Sequence, residues 1–157
     1  MTITFIQVDK TQDSYLIEAV NIYLKRLKNY CSIEVITINV PKNVRQRSEK
    51  EQKTEEGKLI LNELKASDHL ILLDEKGKQL TSMDFSKFIN QKQNAGIKRL
   101  VFLIGGPFGF DASVYERANF KLGLSQMTFS HQMVRLFFME QLYRAYSILA
   151  GEKYHHE

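Results

Sequence analysis

The sequence predicts an α/β fold: a mostly parallel sheet with helices on both faces. Two short, wholly apolar runs, Leu70–Leu73 and Leu100–Ile104, have the composition of strands covered on both faces, as parallel sheets require. Segments of helical periodicity stand between and around them. The last, within Met133–Leu149, is apolar on nearly every side, and a helix of that kind is buried all round.

Taken in order, Ile3, Phe5 and Val8 open the chain in an extended pattern. Asp13 is placed to cap a helix whose apolar residues Leu16, Ile17, Val20, Tyr23, Leu24 and Leu27 recur at helical spacing. Ser32–Val40 alternates with period two and is rich in β-branched residues, the pattern of a strand, and Pro41 stops it. Residues 42–58 are charge-rich, so a mobile loop is expected there, turning into a helix through Leu59, Ile60, Leu61 and Leu64. Lys42, Arg45, Arg47, Lys50 and Lys53 alternate in this stretch with Glu49, Glu51, Glu55 and Glu56, which reads as a solvated helix face. The strand Leu70–Leu73 is followed by a turn at Asp74–Lys78. Ser82 and Asp84 begin a helix with Phe85, Phe88 and Ile89 inward. Leu100–Ile104 runs into Gly105-Gly106-Pro107-Phe108-Gly109, and Asp111 starts a short helix. A loop with one short apolar segment, around 122–131, leads into the final helix. There is no internal repeat or linker.

With 157 residues, one domain spanning 1–157 is expected. A composition of 43% hydrophobic and 25% charged residues is ordinary for a globular protein and excludes a disordered chain. The lone Cys31 cannot form an internal disulfide, and no signal or long apolar span is present, so a cytoplasmic protein is expected. A formal charge of +4 is compatible with a polyanionic partner and equally with none. The four histidines are scattered apart from His155-His156 and no cysteine accompanies them, so no metal site is expected.

Ligands of parallel sheets bind at the carboxyl ends of the strands. Three loops leave such ends here: after Leu73, at Gly105, and around Leu124–Phe129. The Gly105–Gly109 loop is neither a dinucleotide fingerprint nor a P-loop. Alone it reads equally as a tight turn or as a loop that brings backbone close to a ligand. Ser125, Thr128, His131 and Arg135 are polar residues in apolar surroundings, where burial is costly. Thr128 or Ser130 also suits the N-cap of the last helix. His131 reads more readily as a satisfied, partly buried histidine than as a catalytic one. Glu140 and Arg144 have the spacing of a helix ion pair, and Arg135 that of a cap on a neighbouring strand. After Gly151, a helix C-cap residue, the polar tail carries Tyr154 and His155. The apolar last helix is expected to turn part of its surface, including Phe137, Phe138, Leu142 and Tyr146, toward a second subunit.

Five motifs occur together: Leu-Leu-Asp-x-x-Gly-Lys at 72–78, Phe-Leu-Ile-Gly-Gly-Pro-x-Gly at 102–109, Leu-Ser-x-Met-Thr-x-x-His-x-x-x-Arg at 124–135, Glu-Gln-Leu-Tyr-Arg-Ala at 140–145, and a terminal Tyr-His. As a set they resemble the ribosomal RNA large subunit methyltransferase H family, of the SPOUT class, over the whole chain. The resemblance implies a single SPOUT domain with a C-terminal trefoil knot, a rare exception to unknotted chains. It also implies a homodimer packed through the knot region. The reaction implied is methylation of N3 of a pseudouridine in 23S rRNA, on the assembled ribosome, from S-adenosyl-L-methionine, with no metal or membrane involved. The implied cofactor contacts are Leu73, Gly105, Leu124, Ser125, Gln126, Met127, Thr128 and Phe129. The candidates for handling the N3 proton or its anion are Tyr154, His155, Arg144 and Arg135. Lys153 and His156 depart from the Pro and Arg that such proteins often carry there. The alternative is a non-catalytic ribosome-binding or assembly factor that keeps the fold, against which the intact cofactor loops argue.

Overall fold

The computed structural model describes residues 1–156, so of the tail only Glu157 lies outside the described residues. The elements are β1 (Thr2–Val8), α1 (Ser14–Leu27), β2 (Ser32–Ile38), α2 (Lys42–Arg45), α3 (Glu49–Glu63), β3 (His69–Gln79), α4 (Ser82–Asn94), β4 (Arg99–Ile104), α5 (Ala112–Arg117), β5 (Phe120–Gly123) and α6 (Met133–Leu149). Five strands form one sheet in the order β2-β1-β4-β3-β5. Every pairing is parallel, so all carboxyl ends lie along one edge.

Alternate residues of the central strands serve opposite faces. Ile3, Phe5, Ile71, Leu100 and Phe102 point into a core closed by α1, α4 and α6. There Phe138 of α6 stacks on Phe5 at 5.3 Å between ring centroids and lies 4.7 Å from Phe102. Ile6, Val8, Leu70, Leu72, Val101 and Leu103 point the other way, onto Ile60 of α3 and Val114 of α5. Among the described residues no helix is long and apolar enough to cross a membrane.

Five local expectations are corrected. Asp13 precedes α1 but makes no side-chain cap; its carbonyl accepts from Leu16 and Ile17 instead. Residues 42–58 are mostly helical: α2 follows Pro41, and α3 begins at Glu49 with Ser48 Oγ accepting from the Glu51 amide at 3.2 Å. The charges here look like a solvated face, yet Arg45 and Glu56 turn inward and pair. Nor does β3 end at Leu73. Leu73 and Lys78 both register with Leu122, and residues 74–77 form a bulge between them, so the expected turn is an excursion within one strand. Finally, Phe138, Leu142 and Tyr146 are buried in the protomer's own core between the sheet, α1 and α4, and only Phe137 of the four expected interface residues is exposed.

The bulge is closed by two glycines. A Cβ on Gly77 would stand 2.6 Å from the Leu122 carbonyl carbon and 2.7 Å from the Gly123 nitrogen. A Cβ on Gly123 would stand 2.8 Å from the Gly77 oxygen. Both obstacles are backbone and cannot swing aside. Gly77→Ala is therefore expected at the upper end of overpacking costs, about 3 kcal/mol. Urea denaturation measures it; a loss under about 0.5 kcal/mol, the scale of an ordinary surface substitution, would mean that the backbones do not meet this closely.

Candidate functional site

At the carboxyl edge the bulge of β3 and the loops after β4 and β5 enclose one cleft of about 540 Å³, within the range of small-molecule sites. Leu73, Gly105, Leu124, Ser125, Met127, Thr128 and Phe129 all line it. Gln126 is exposed and is not among the lining residues. The apolar walls are Leu73, Ile104, Leu122, Leu124, Phe129 and Val134. Gly105 is required by its neighbour: a Cβ there would stand 2.8 Å from the Phe110 ring, which itself lines the cleft.

Polar bonds tie the loops together across the mouth. Thr128 Oγ1 donates to Glu75 Oε2 at 2.6 Å, joining the 124–131 loop to the bulge of β3. Tyr115 of α5 donates its hydroxyl to Asp74 at 2.6 Å, and burial followed by that bond pushes its pKa up to about 12. Ser125 Oγ accepts from the Met127 amide at 2.9 Å and fixes the loop's turn. Of the two expected caps, Ser130 is the one that meets α6, accepting from the Met133 amide at 3.1 Å. His131 lines the cleft, and burial, then Arg135, lowers its pKa, so it is neutral at pH 7.

Arg135 stands apart from the other three catalytic candidates. It is fully buried, and its guanidinium donates to the carbonyls of Val8 (3.0 Å), Asp9 (2.9 Å) and His131 (3.0 Å) and to Thr11 Oγ1 (3.1 Å). It clasps the end of β1 to the start of α6, with four of its five N–H groups engaged and the whole side chain buried away from a substrate.

Arg144, Tyr154 and His155 do come together. Gly151, at φ 72°, ends α6: its amide bonds to Ile148 O and the Glu152 amide to Ser147 O, the paired bonds of a Schellman cap. The tail then folds back along the helix. Glu140 Oε1 accepts from Arg144 Nη2 at 2.6 Å, Arg144 Nε at 3.1 Å and Tyr154 Oη at 3.1 Å. Arg144 lies over the Tyr154 ring at 4.7 Å and approaches His155 Nδ1 at 3.3 Å. An arginine only donates, so His155 Nδ1 is the acceptor in this contact. The Tyr154 pKa is raised, by burial first and then by Tyr23 and Glu140, so it remains a neutral phenol. Glu140 also lines a groove whose wall shares Leu122, Leu124 and Phe129 with the cleft. The tail residues themselves do not line their own protomer's cleft.

Sequence reasoning missed Phe110 and Tyr115 as cleft residues and Glu75 as the partner of Thr128. Their roles depend on loops meeting in space, and no spacing in the chain encodes that.

Known proteins agree with this architecture. A family model described as "Predicted SPOUT methyltransferase" matches residues 1–155. The "Ribosomal RNA large subunit methyltransferase H" of Parabacteroides distasonis is 52% identical over 157 residues, covering all of both chains. That of Cytophaga hutchinsonii is 54% identical over 149 residues, 95% of this chain and 96% of its own. A solved structure of a probable methylase family protein from Haemophilus influenzae shares the fold at a TM-score of 0.51 and 10% identity, covering 99% of this chain and 70% of its own. With a family match over nearly its whole length and relatives of this identity, the chain belongs to the SPOUT methyltransferases, among the ribosomal RNA large subunit methyltransferase H proteins.

Proposed function

We propose that this chain, acting as one SPOUT domain in a cytoplasmic homodimer, transfers a methyl group from S-adenosyl-L-methionine to N3 of a pseudouridine in 23S rRNA on the assembled ribosome. The observation that carries the reading is the cleft built by the β3 bulge and the loops after β4 and β5, in a chain about half identical to proteins named for ribosomal RNA methylation. The residues fit the cofactor: the lining is apolar enough for an adenine, and the missing side chain at Gly105 lets the Phe110 ring stand in the cleft wall. Leu73, Gly105 and the 124–129 loop would hold it, and bound there it supplies an electrophilic methyl group.

Methyl transfer is an in-line displacement, so most of the protein's contribution is positioning. N3 of the base must also lose its proton, which passes to solvent water. Glu140 accepts from Arg144 and Tyr154, Nδ1 of His155 is occupied by Arg144, and Tyr154 is held neutral. In this arrangement the cluster is a set of donors. Its part is to stabilise the developing N3 anion, with Arg144 the fixed positive charge, while the Tyr154 ring offers a base a stacking face. Because the cluster does not line its own cleft, a symmetric pair meeting along α6 lets each chain offer its cluster to the other's cleft.

The reaction is tested by transfer of labelled methyl from S-adenosyl-L-methionine to ribosomes lacking the modification; incorporation into 23S rRNA is expected, and none would overturn the reading. The dimer is tested separately, by light scattering at micromolar concentration. A mass of twice 18.3 kDa is expected, because Phe137 and Met127 are exposed on the α6 side of the cleft. A monomeric mass would contradict it.

A further inference from the structure

Behind the cleft, at the carboxyl end of β1, four charged residues are left without a task by the methyl-transfer reading. Arg135 and Glu56 are 0% and 2% exposed. Arg45 forks between Glu56 and the residue that follows β1, one nitrogen on Asp9 Oδ2 and the other on Glu56 Oε1. Asp9 is the one non-glycine residue with a positive φ among the described residues, at 59°, a conformation that aspartate tolerates better than most. Its other carboxylate oxygen accepts from the Val40 amide at 3.1 Å, and its carbonyl accepts from Arg135 at 2.9 Å. Apolar residues of similar volume often stabilise a fold as well as a buried ion-pair set does. Stability alone therefore does not account for this one.

Both ends of the set reach cleft loops. The Glu56 carboxylate fills the space where a Cβ on Gly106 would sit, with Oε1 2.9 Å and Oε2 3.1 Å away. The next residue of α3, Gly57, lies against Asp111, where a Cβ would be 3.0 Å from the aspartate Cβ. Thus α3 supports both ends of the 105–111 segment. At the opposite end Arg135 Nε holds the carbonyl of His131, which lines the cleft.

We propose that Asp9, Arg45, Glu56 and Arg135 are positioning residues for the cofactor: one chain of ion pairs and hydrogen bonds, buried at its Glu56 and Arg135 ends and half-buried between them, that fixes the glycine loop and the 124–131 loop at a set separation. The proposal rests on the cleft being the S-adenosyl-L-methionine site. Glu56→Gln keeps the volume and removes the charge that holds Arg45. Calorimetric titration of the full chain with S-adenosylhomocysteine is expected to show its Kd raised about tenfold or more, the scale lost when a supporting shell is removed. Ile89→Val, a core change on the opposite face of the sheet, is expected to lower the ligand-free Tm and leave Kd within about twofold, since distant sites act independently. An unchanged Kd in Glu56→Gln with a lowered Tm would overturn the proposal and leave the cluster merely structural. If Glu56→Gln does not fold, a coupled pair decides. Gly106→Ala should weaken binding by pressing on the carboxylate, and Glu56→Asp, one methylene shorter, should restore much of it; strictly additive losses would overturn the proposal. No binding by the unsubstituted chain would instead remove the cofactor reading itself.

Discussion

Deleting residues 152–157 is expected to cut ribosome methylation at least ~100-fold, the scale of losing a positioned proton-handling group, while folding and cofactor binding survive. The deletion removes Tyr154 and His155 and leaves Arg144 with Glu140 alone. Its structural cost is small. Besides the contacts of Tyr154 and His155 with Glu140 and Arg144, the tail is tied to the body by a Tyr30–Glu152 bond at 2.6 Å, one cap bond of Glu152, and the packing of Tyr154 against Tyr143 at 4.8 Å. Exposed hydrogen bonds of this kind contribute about 1 kcal/mol each. The core packs through the sheet and α6 without the tail. Initial rates on ribosomes, with the melting temperature of the same preparation, check the claim. A truncated chain that methylates near the normal rate would make the tail a terminus only and return the search to His131.

The second large effect concerns the cleft. S-adenosylhomocysteine at about 100 times its dissociation constant should stabilise the chain by about 2.7 kcal/mol. For a domain of this size that is a rise in melting temperature of roughly 5–11 °C. Gly105→Val should abolish the rise and leave the ligand-free protein folded. The valine Cβ would meet Phe110 at 2.8 Å, and the ring, only 8% exposed, would be driven into the cleft it lines. An undiminished rise in the variant would place the ligand elsewhere; no rise in the unsubstituted chain would remove the cofactor assignment.

The elements carried by local pattern were legible in the chain. Period-two alternation marks β2, apolar runs mark β4 and the start of β3, and Asp111 caps α5 with its side chain on the Ser113 amide at 3.1 Å. That the segments after Leu73, Ile104 and Gly123 meet at one edge was legible because each follows a strand-like run, although the first is a bulge within β3. What escaped depends on distant partners. The β3 bulge exists because Leu122 pairs with both Leu73 and Lys78, nearly fifty residues away in sequence. Residues 49–58 look like a solvated stretch, yet Glu56 is buried because Arg45 and Gly106 meet it. Arg135 has the profile of a site residue, polar in apolar surroundings, but the carbonyls that absorb it lie more than 120 residues earlier. The all-apolar α6 suggested a wide dimer face, whereas α1, α4 and the sheet cover most of it within one protomer.

The central claim is most directly tested by mapping the modified nucleoside. Ribosomes lacking the modification are incubated with the chain and labelled S-adenosyl-L-methionine, and the 23S rRNA is digested and analysed by mass spectrometry. The predicted result is label on N3 of one pseudouridine in 23S rRNA, formed on assembled ribosomes; label on another atom or another RNA, or no label with active cofactor binding, would contradict it.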